Sequence, residues 1–417
     1  MQFSVGDTAW VLTSTALVLF MTPGLGFFYG GMVRSKHVLA MLMQNYVVIG
    51  VVSLLWVWAT YSLAFGPDVG GLGIIGGLRF AGMAHMSQPV PGFGSHLRIP
   101  PTVFAIFQMM FAVITPALIT GSTADRLRFG PFVAFVILWS VIVYAPVAHW
   151  VFSPLGWLNR MGAEDFAGGT VVHIDAGAAG LALATVVGPR RGWPKQTMAP
   201  HNVPFVLLGT GILWFGWFGF NAGSALGANT LAANAFLNTN TATAAALLAW
   251  IAVEKIRNGK PTTLGAASGA VAGLVAITPS CGYVNTLGAT VIGIAAGAVC
   301  AIAVSAKFRF RLDDALDVGG VHFVGGIIGA VLIGIFGTSA VGGANGLLYG
   351  GGLGLLGKQT LAVVIVAVYS FSVSWLLGKL IDKVVGLRVT EDAELEGLDT
   401  ALHAETAYEL GGRGSRA

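Results

Sequence analysis

Long apolar stretches alternate with short polar linkers along nearly the whole chain of 417 residues. A helix needs about 20 apolar residues to cross the hydrocarbon core of a bilayer. The linkers contain turn-forming pairs, such as Gly-Pro at 66–67 and Asn-Gly at 258–259. The pattern therefore predicts eleven membrane-spanning helices, near residues 8–31, 38–65, 100–124, 131–152, 166–188, 201–222, 238–256, 264–280, 285–306, 316–338 and 358–384.

The composition agrees with this all-α, polytopic membrane class. Hydrophobic residues make up 55% of the chain and charged residues only 10%, whereas soluble domains carry about 25% charge. The first residues, MQFSVGD, contain no Lys or Arg, so the first span is predicted to be retained rather than cleaved as a signal peptide. Cys281 and Cys300 are too few for a disulfide framework and do not have a metal-ligand spacing.

The basic residues predict the orientation of the spans. Alternate loops and the C-terminal end hold 18 of the 22 Lys and Arg residues, including Arg413 and Arg416 in the tail. Because Lys and Arg concentrate in short cytoplasmic loops, we expect the N-terminus outside and the C-terminus inside. The basic balance of the chain then reflects topology and not nucleic-acid binding.

Two histidines stand inside strongly apolar stretches, His173 in GGTVVHIDAGAAGLALA and His322 in GGVHFVGGIIGAVLIGIF. An ionisable side chain inside a membrane is costly and marks a functional site by default. Each histidine lies eight residues, or about 12 Å of helix, from an aspartate at the end of its span, Asp165 or Asp314. In a core about 30 Å thick, both rings are expected near the centre.

The positions of the histidines suggest an inverted repeat. His173 is in the fifth predicted span and His322 in the tenth, so each repeat would contain five spans. Because five is an odd number, the second copy must have the opposite orientation in the membrane. We expect a transmembrane domain over 1–384, with repeat one at about 8–188, repeat two at about 201–338 and the eleventh span at about 358–384. Inverted repeats place substrate sites at the midplane of the membrane. Two neutral imidazoles that hydrogen-bond to each other there would each still present one ring nitrogen to a small polar molecule.

Several motifs resemble the ammonium transporter family, which includes the bacterial and plant transporters, the yeast permeases and, more distantly, the Rh proteins. They are FFYGGMVRSK at 27–36, DRLRFGP, DFAGGTVVHI, GWFGFNAGSA, DVGGVHFVGG and the tail VGLRVTEDAELEGLDTALHAETAY, and they cover nearly the whole chain. The resemblance is to a bacterial Amt-type transporter of ammonium and methylammonium. It implies a homotrimer in the cell membrane, with no enzymatic activity, cofactor or metal.

The resemblance also implies the site. His173 and His322 would be the twin histidines of a hydrophobic pore, and Asp165 would support conduction without touching the substrate. Aromatic faces attract cations, and the matching residues are Phe111 and Phe220 as the outer gate, and Phe107, Phe152 and Ser224 as the ammonium recruitment site.

Two positions depart from the family. Many members have Trp where this chain has Phe152, and Trp is the better cation–π partner, so we expect a weaker outer site. Asp175 stands two residues after His173, where members usually have a neutral residue. Two residues are about 200° around a helix, so Asp175 should point away from the pore.

A bare cation at the bilayer centre costs several kcal/mol on even the mildest scale. The hypothesis is that ammonium is deprotonated near Phe111 and ammonia passes the histidines, while the proton either follows separately or stays outside. Potassium has no proton to lose and is excluded. The residues 385–417 form a cytoplasmic tail that, by resemblance, couples to a P-II signal protein; without the resemblance it reads as a solvated acidic segment.

Two other classes of protein remain open. The chain could be an ammonium sensor with little flux, although the residues after 384 are too few for a signalling domain. Two buried histidines could also ligate a haem, but the small residues around both of them argue against room for a porphyrin. A water channel is disfavoured because the sequence has no Asn-Pro-Ala motif.

Overall fold

A computed structural model describes residues 3–94 and 97–408 of the chain. Within these residues all the regular structure is helical, and three isolated bridges are the only extended pairing. Ten helices are long and apolar enough to cross a membrane, and α8 is shorter. The helices are α1 (Val5–Met32), α2 (Ser35–Phe65), α3 (Pro101–Thr123), α4 (Phe129–Met161), α5 (Gly169–Val187), α6 (Val203–Gly223), α7 (Thr230–Asn258), α8 (Thr263–Ile277), α9 (Thr286–Phe310), α10 (Gly319–Phe336) and α11 (Gly354–Val385).

The helix ends differ most from the predicted spans at the end of α4, which reaches Met161, nine residues past the predicted 152, and at the start of α7. α7 begins at Thr230, eight residues before the predicted start, because Asn229 caps it by accepting a hydrogen bond from the Ala232 N–H at 3.0 Å. The Asn and Thr residues of its first turns lower the local hydropathy and hide this start. α8 is only 15 residues long, about 22 Å, and it ends at Ile277, two residues before Pro279.

α5 and α10 carry the two histidines in the same local structure. Each helix begins with a π-helical turn, Gly169–Ile174 in α5 and Gly319–Phe323 in α10. Such wide turns are rare and often occur at functional sites. The two helices cross closely at their glycines. A Cβ atom at Gly177 would lie 2.7 Å from Phe323, and one at Gly326 would lie 3.3 Å from the His173 Cβ.

The remaining helices surround this central crossing. α1 packs along α6, α7 lies against α8 and α9, and α11 packs against α5 and α10. Large aromatic side chains fill the space between α2, α3 and α4; among them Trp56, Phe104 and Trp139 are fully buried. The crossing of α5 and α10 is therefore surrounded by packed helices.

The C-terminal segment folds back against the ends of the helices as α12 (Glu391–Glu396) and α13 (Leu398–His403). Asp399 accepts a hydrogen bond from the Ala40 N–H in the first turn of α2 at 2.8 Å. Glu394 accepts one from the Arg191 N–H at 2.7 Å and pairs with Arg388 at 2.9 Å. Both acids are buried, so this part of the tail is not simply solvated. The tail after residue 408, including Arg413 and Arg416, lies outside the described residues.

Candidate functional site

His173 and His322 meet at the crossing of α5 and α10. Their Nδ1 atoms are 3.3 Å apart, and the ring centroids are 5.4 Å apart with the planes inclined by 25°. Because these two nitrogens share one hydrogen bond, one Nδ1 donates and the other accepts. The Nε2 atom of His173 is buried and has no partner in the protein. Both rings are nearly inaccessible, so the pair can offer Nε2 only to a small molecule inside the protein.

A column of aromatic rings leads from His173 toward one end of the molecule. His173 stacks with Trp217 at 5.4 Å and 20°, and with Phe220 at 6.1 Å and 27°. Phe220 in turn lies against Phe111 at 4.3 Å and 38°. Sequence reasoning missed Trp217, although it lies within the motif GWFGFNAGSA. Its Nε1 donates to the Thr278 hydroxyl at 2.8 Å, which fixes the ring beside the histidine.

Beyond Phe111 the column opens into a cavity of about 180 Å³, the outer cavity. Phe152 meets Phe111 edge to face at 6.2 Å and 86°, and the Ser224 hydroxyl donates to the Phe220 carbonyl at 2.8 Å. The residues that line the cavity include Phe93, Gln108, Phe111, Phe152, Asp165, Ser224 and Tyr283.

Phe107 and Gln108 are exceptions to the predicted lining. Phe107 is fully buried and contacts the Phe111 ring at 5.0 Å and 72°, but it is not among the residues that line the cavity. Gln108 does line it, and its Oε1 is buried without a partner. In the sequence, the only indication that Gln108 lines a cavity is that it is the single polar residue of the stretch FAIFQMMFAVI.

Asp165 lies at the start of α5, where its carboxylate collects five hydrogen bonds. It accepts from the N–H groups of Gly168, Gly169, Thr170 and Val171 at 2.8, 2.7, 2.8 and 3.2 Å, and from the Thr170 hydroxyl. These are the unpaired donors of a helix start, and a negative charge there also interacts favourably with the helix dipole. The carboxylate is thus fully engaged by its own helix.

Asp314 holds the start of α10 in the same way. Its carboxylate accepts from the N–H groups of Gly319 at 2.7 Å and Val318 at 3.2 Å, and from the Ser122 hydroxyl at 2.8 Å. The starts of the two histidine helices are therefore held by equivalent aspartates.

Asp175 is fully buried on the face of α5 that is turned toward α11. Ser370 on α11 faces its carboxyl group, and Tyr144 and Tyr369 lie near it. Neither carboxyl oxygen has a hydrogen-bond partner within 3.5 Å. The ring column contacts His173 on another face of the helix.

The family model described as "Ammonium Transporter Family" matches residues 9–408. The chain belongs to the ammonium transporter family. An ammonium transporter of Mycobacterium tuberculosis is 50% identical over 97% of this chain and 90% of its own length. Ammonium transporter Amt1 of Archaeoglobus fulgidus is 44% identical over 97% of this chain and all of its own length.

Solved structures agree with the sequence comparison. Mep2 of Saccharomyces cerevisiae aligns with a TM-score of 0.87 at 36% identity, over 94% of this chain and 89% of that one. A structure titled "Sensor Amt Protein" aligns with a TM-score of 0.87 at 32% identity, over 95% and 98% of the two chains. This member of the ammonium transporter family is accordingly a multi-pass protein of the cell membrane.

In this ammonium transporter family member, acidic and basic side chains also meet near the start of α10. Asp317 pairs with Lys307 at 2.6 Å and lines a cavity of about 220 Å³. Burial raises the pKa of Asp317 to about 6 against the opposing effect of Lys307. Burial also acts to raise the pKa of Asp313, but the Arg190 guanidinium, 2.8 Å away, outweighs it and lowers that pKa. Charged side chains therefore gather near the start of α10, whereas aromatic rings surround the histidine pair.

Proposed function

We propose that this protein takes up ammonium from outside the cell at the outer cavity and conducts it past His173 and His322 as ammonia. Membership of the ammonium transporter family supports ammonium as the substrate. The observation that carries the mechanism is the continuous buried column formed by Phe111, Phe220, Trp217, His173 and His322.

The outer cavity is suited to select a small cation. The faces of Phe111 and Phe152 attract a cation, for about 0.5–2 kcal/mol per contact, and the Ser224 oxygen and the unpartnered Gln108 carbonyl can accept hydrogen bonds from ammonium. Asp165 lines the same cavity, but its oxygens are already engaged by α5. We infer that Asp165 maintains the helix start and contributes its negative charge at a distance.

The stacked rings of Phe111 and Phe220 favour loss of the proton. A charged ammonium ion that entered the column would lose its hydration and gain only apolar contacts, at a cost of several kcal/mol. Neutral ammonia avoids this cost, and it can donate to or accept from the free imidazole nitrogens of the histidine pair. Potassium has no neutral form, so the same column excludes it.

We further propose eleven spans, with the N-terminus outside and repeats one and two inverted, followed by a regulatory tail at 385–417. The equivalence of Asp165 and His173 with Asp314 and His322 supports the repeat, as does the π-helical start of both helices. A homotrimer regulated by a P-II protein follows from the family resemblance. The docking of α12 and α13 against the ends of α2 and α5 gives such a regulator a built surface.

The experiment that tests the function is a current measurement on purified protein in liposomes. A jump in ammonium should evoke a saturable current if the proton follows ammonia, and an equal jump in potassium should evoke none. An internal pH dye detects uptake of ammonia in the case that the proton stays outside. Binding of ammonium with neither a current nor a pH change would instead identify a sensor. A Soret band in the purified protein would identify a haem protein.

A further inference from the structure

His149 lies in the last turn of the first part of α4, which ends at Phe152 before a short break at 153–156. It is fully buried, and both of its ring nitrogens face hydrogen-bond acceptors. Nδ1 is 2.8 Å from the Ala64 carbonyl oxygen at the end of α2, and Nε2 is 3.1 Å from Oδ1 of Asp68 in the following loop. A carbonyl oxygen can only accept, so Nδ1 must carry a hydrogen. Nε2 can bond to an ionised carboxylate only if it carries a hydrogen too.

Asp68 is ionised in this arrangement. Partial burial acts to raise the pKa of Asp68, but the Gly73 N–H, the His149 ring and Arg160 together outweigh it and lower that pKa. The carboxylate therefore has no proton to donate to Nε2. Both ring nitrogens of His149 must donate, which requires the charged imidazolium form.

We propose that His149 is an imidazolium whose ion pair with Asp68 positions the outer cavity for ammonium. The pair fastens the loop at 66–77 to the end of α4. Two further bonds act at the same place, from Trp150 Nε1 to the Ile74 carbonyl at 2.8 Å and from the Trp157 N–H to the Gly73 carbonyl at 3.1 Å. Phe152, one helical turn after His149, projects from this end of α4 into the cavity.

The inference rests on the proposed recruitment of ammonium at the outer cavity, and its kinetic test uses currents from the full-length protein in liposomes. Asp68→Ala removes the partner of the His149 Nε2 and should raise KM for ammonium about fivefold, with the maximal current unchanged. In Asp68→Asn the new amide can donate to a neutral Nε2, so KM should stay near the wild-type value. An unchanged KM in Asp68→Ala, or an equal rise in Asp68→Asn, would overturn the proposal.

A spectroscopic test decides the protonation of His149 without any transport. Nitrogen-15 solid-state NMR of ring-labelled protein in liposomes should show two N–H nitrogens for His149 at neutral pH, with the signals identified by their loss in His149→Gln. His201 is the internal control, because its Nε2 lies 2.9 Å from the Tyr408 hydroxyl, which can donate, so a neutral ring suffices. A single N–H for His149 would overturn the inference even if ammonium transport is intact. Two N–H nitrogens in a protein without ammonium flux would uphold the ion pair and reject the proposed function instead.

Discussion

Replacement of Asp165 by asparagine should stop transport by releasing the start of α5. Five donors converge on the carboxylate, two on Oδ1 and three on Oδ2. Asparagine keeps one carbonyl oxygen, and its NH2 group must then face at least two N–H or O–H donors. At least two hydrogen bonds are therefore lost in a buried site.

The structure sets the size of this effect. A hydrogen bond to a charged group contributes about 1.5–3 kcal/mol, so two lost bonds correspond to about 3–6 kcal/mol, before any cost of the unpaired donors. That is a large fraction of the stability of a typical folded domain. His173 is four residues from Gly169, one of the released positions, so disorder of this turn would also displace the ring that pairs with His322.

The assay is ammonium current from liposomes combined with the thermal denaturation midpoint of the purified variant. Asp314→Asn is the matched control, because the Asp314 carboxylate accepts only three hydrogen bonds. It should lower the midpoint less than Asp165→Asn does. Wild-type current and an unchanged midpoint in Asp165→Asn, or a larger loss in the control, would refute the reasoning.

Three other substitutions have defined outcomes. Phe152→Trp should strengthen the cation–π contact by about 0.5–1 kcal/mol and lower KM for ammonium about two- to fivefold; an unchanged KM in a current titration would contradict the role of this ring. Because Arg190 holds the pKa of Asp313 below its ordinary value, the stabilisation exists above that ordinary value and is lost as the pH falls through the lowered one. The gap in denaturation midpoint between the wild type and Asp313→Asn should therefore shrink on acidification, and a constant gap would argue against the pair. Asp175→Asn should keep the wild-type current, since Asp175 faces α11; loss of current at normal stability would instead assign Asp175 to the conduction path.

The sequence was sufficient to predict an all-helical chain with ten or eleven apolar helices, because hydropathy marks each helix. It also paired His173 with His322 from their similar surroundings, and the two rings meet in the structure. It could not predict the π-helical turns, since no residue pattern distinguishes them from ordinary helix starts. It missed Trp217, because an aromatic residue in an apolar helix is usually packing. It also missed the His149–Asp68 pair, whose members are 81 residues apart and become neighbours only when the outer loop folds onto α4.

The early start of α7 has a similar explanation. Its first turns contain polar Asn and Thr residues, which a hydropathy window excludes, while the cap at Asn229 becomes visible only once the chain is folded. Gln108 was overlooked because a single polar residue in a span has no periodicity to reveal its direction. These misses share one cause, which is that tertiary neighbours decide the role of an isolated residue.

The most direct test of the account compares ammonium and potassium currents in His173→Ala with those of the wild type, in liposomes under equal concentration jumps. The histidine pair is proposed to pass ammonia and to leave no path for a hydrated ion. The wild type should conduct no potassium, whereas removal of the ring should admit it. Full discrimination against potassium in His173→Ala would contradict the claim that the histidine pair enforces passage of the neutral molecule.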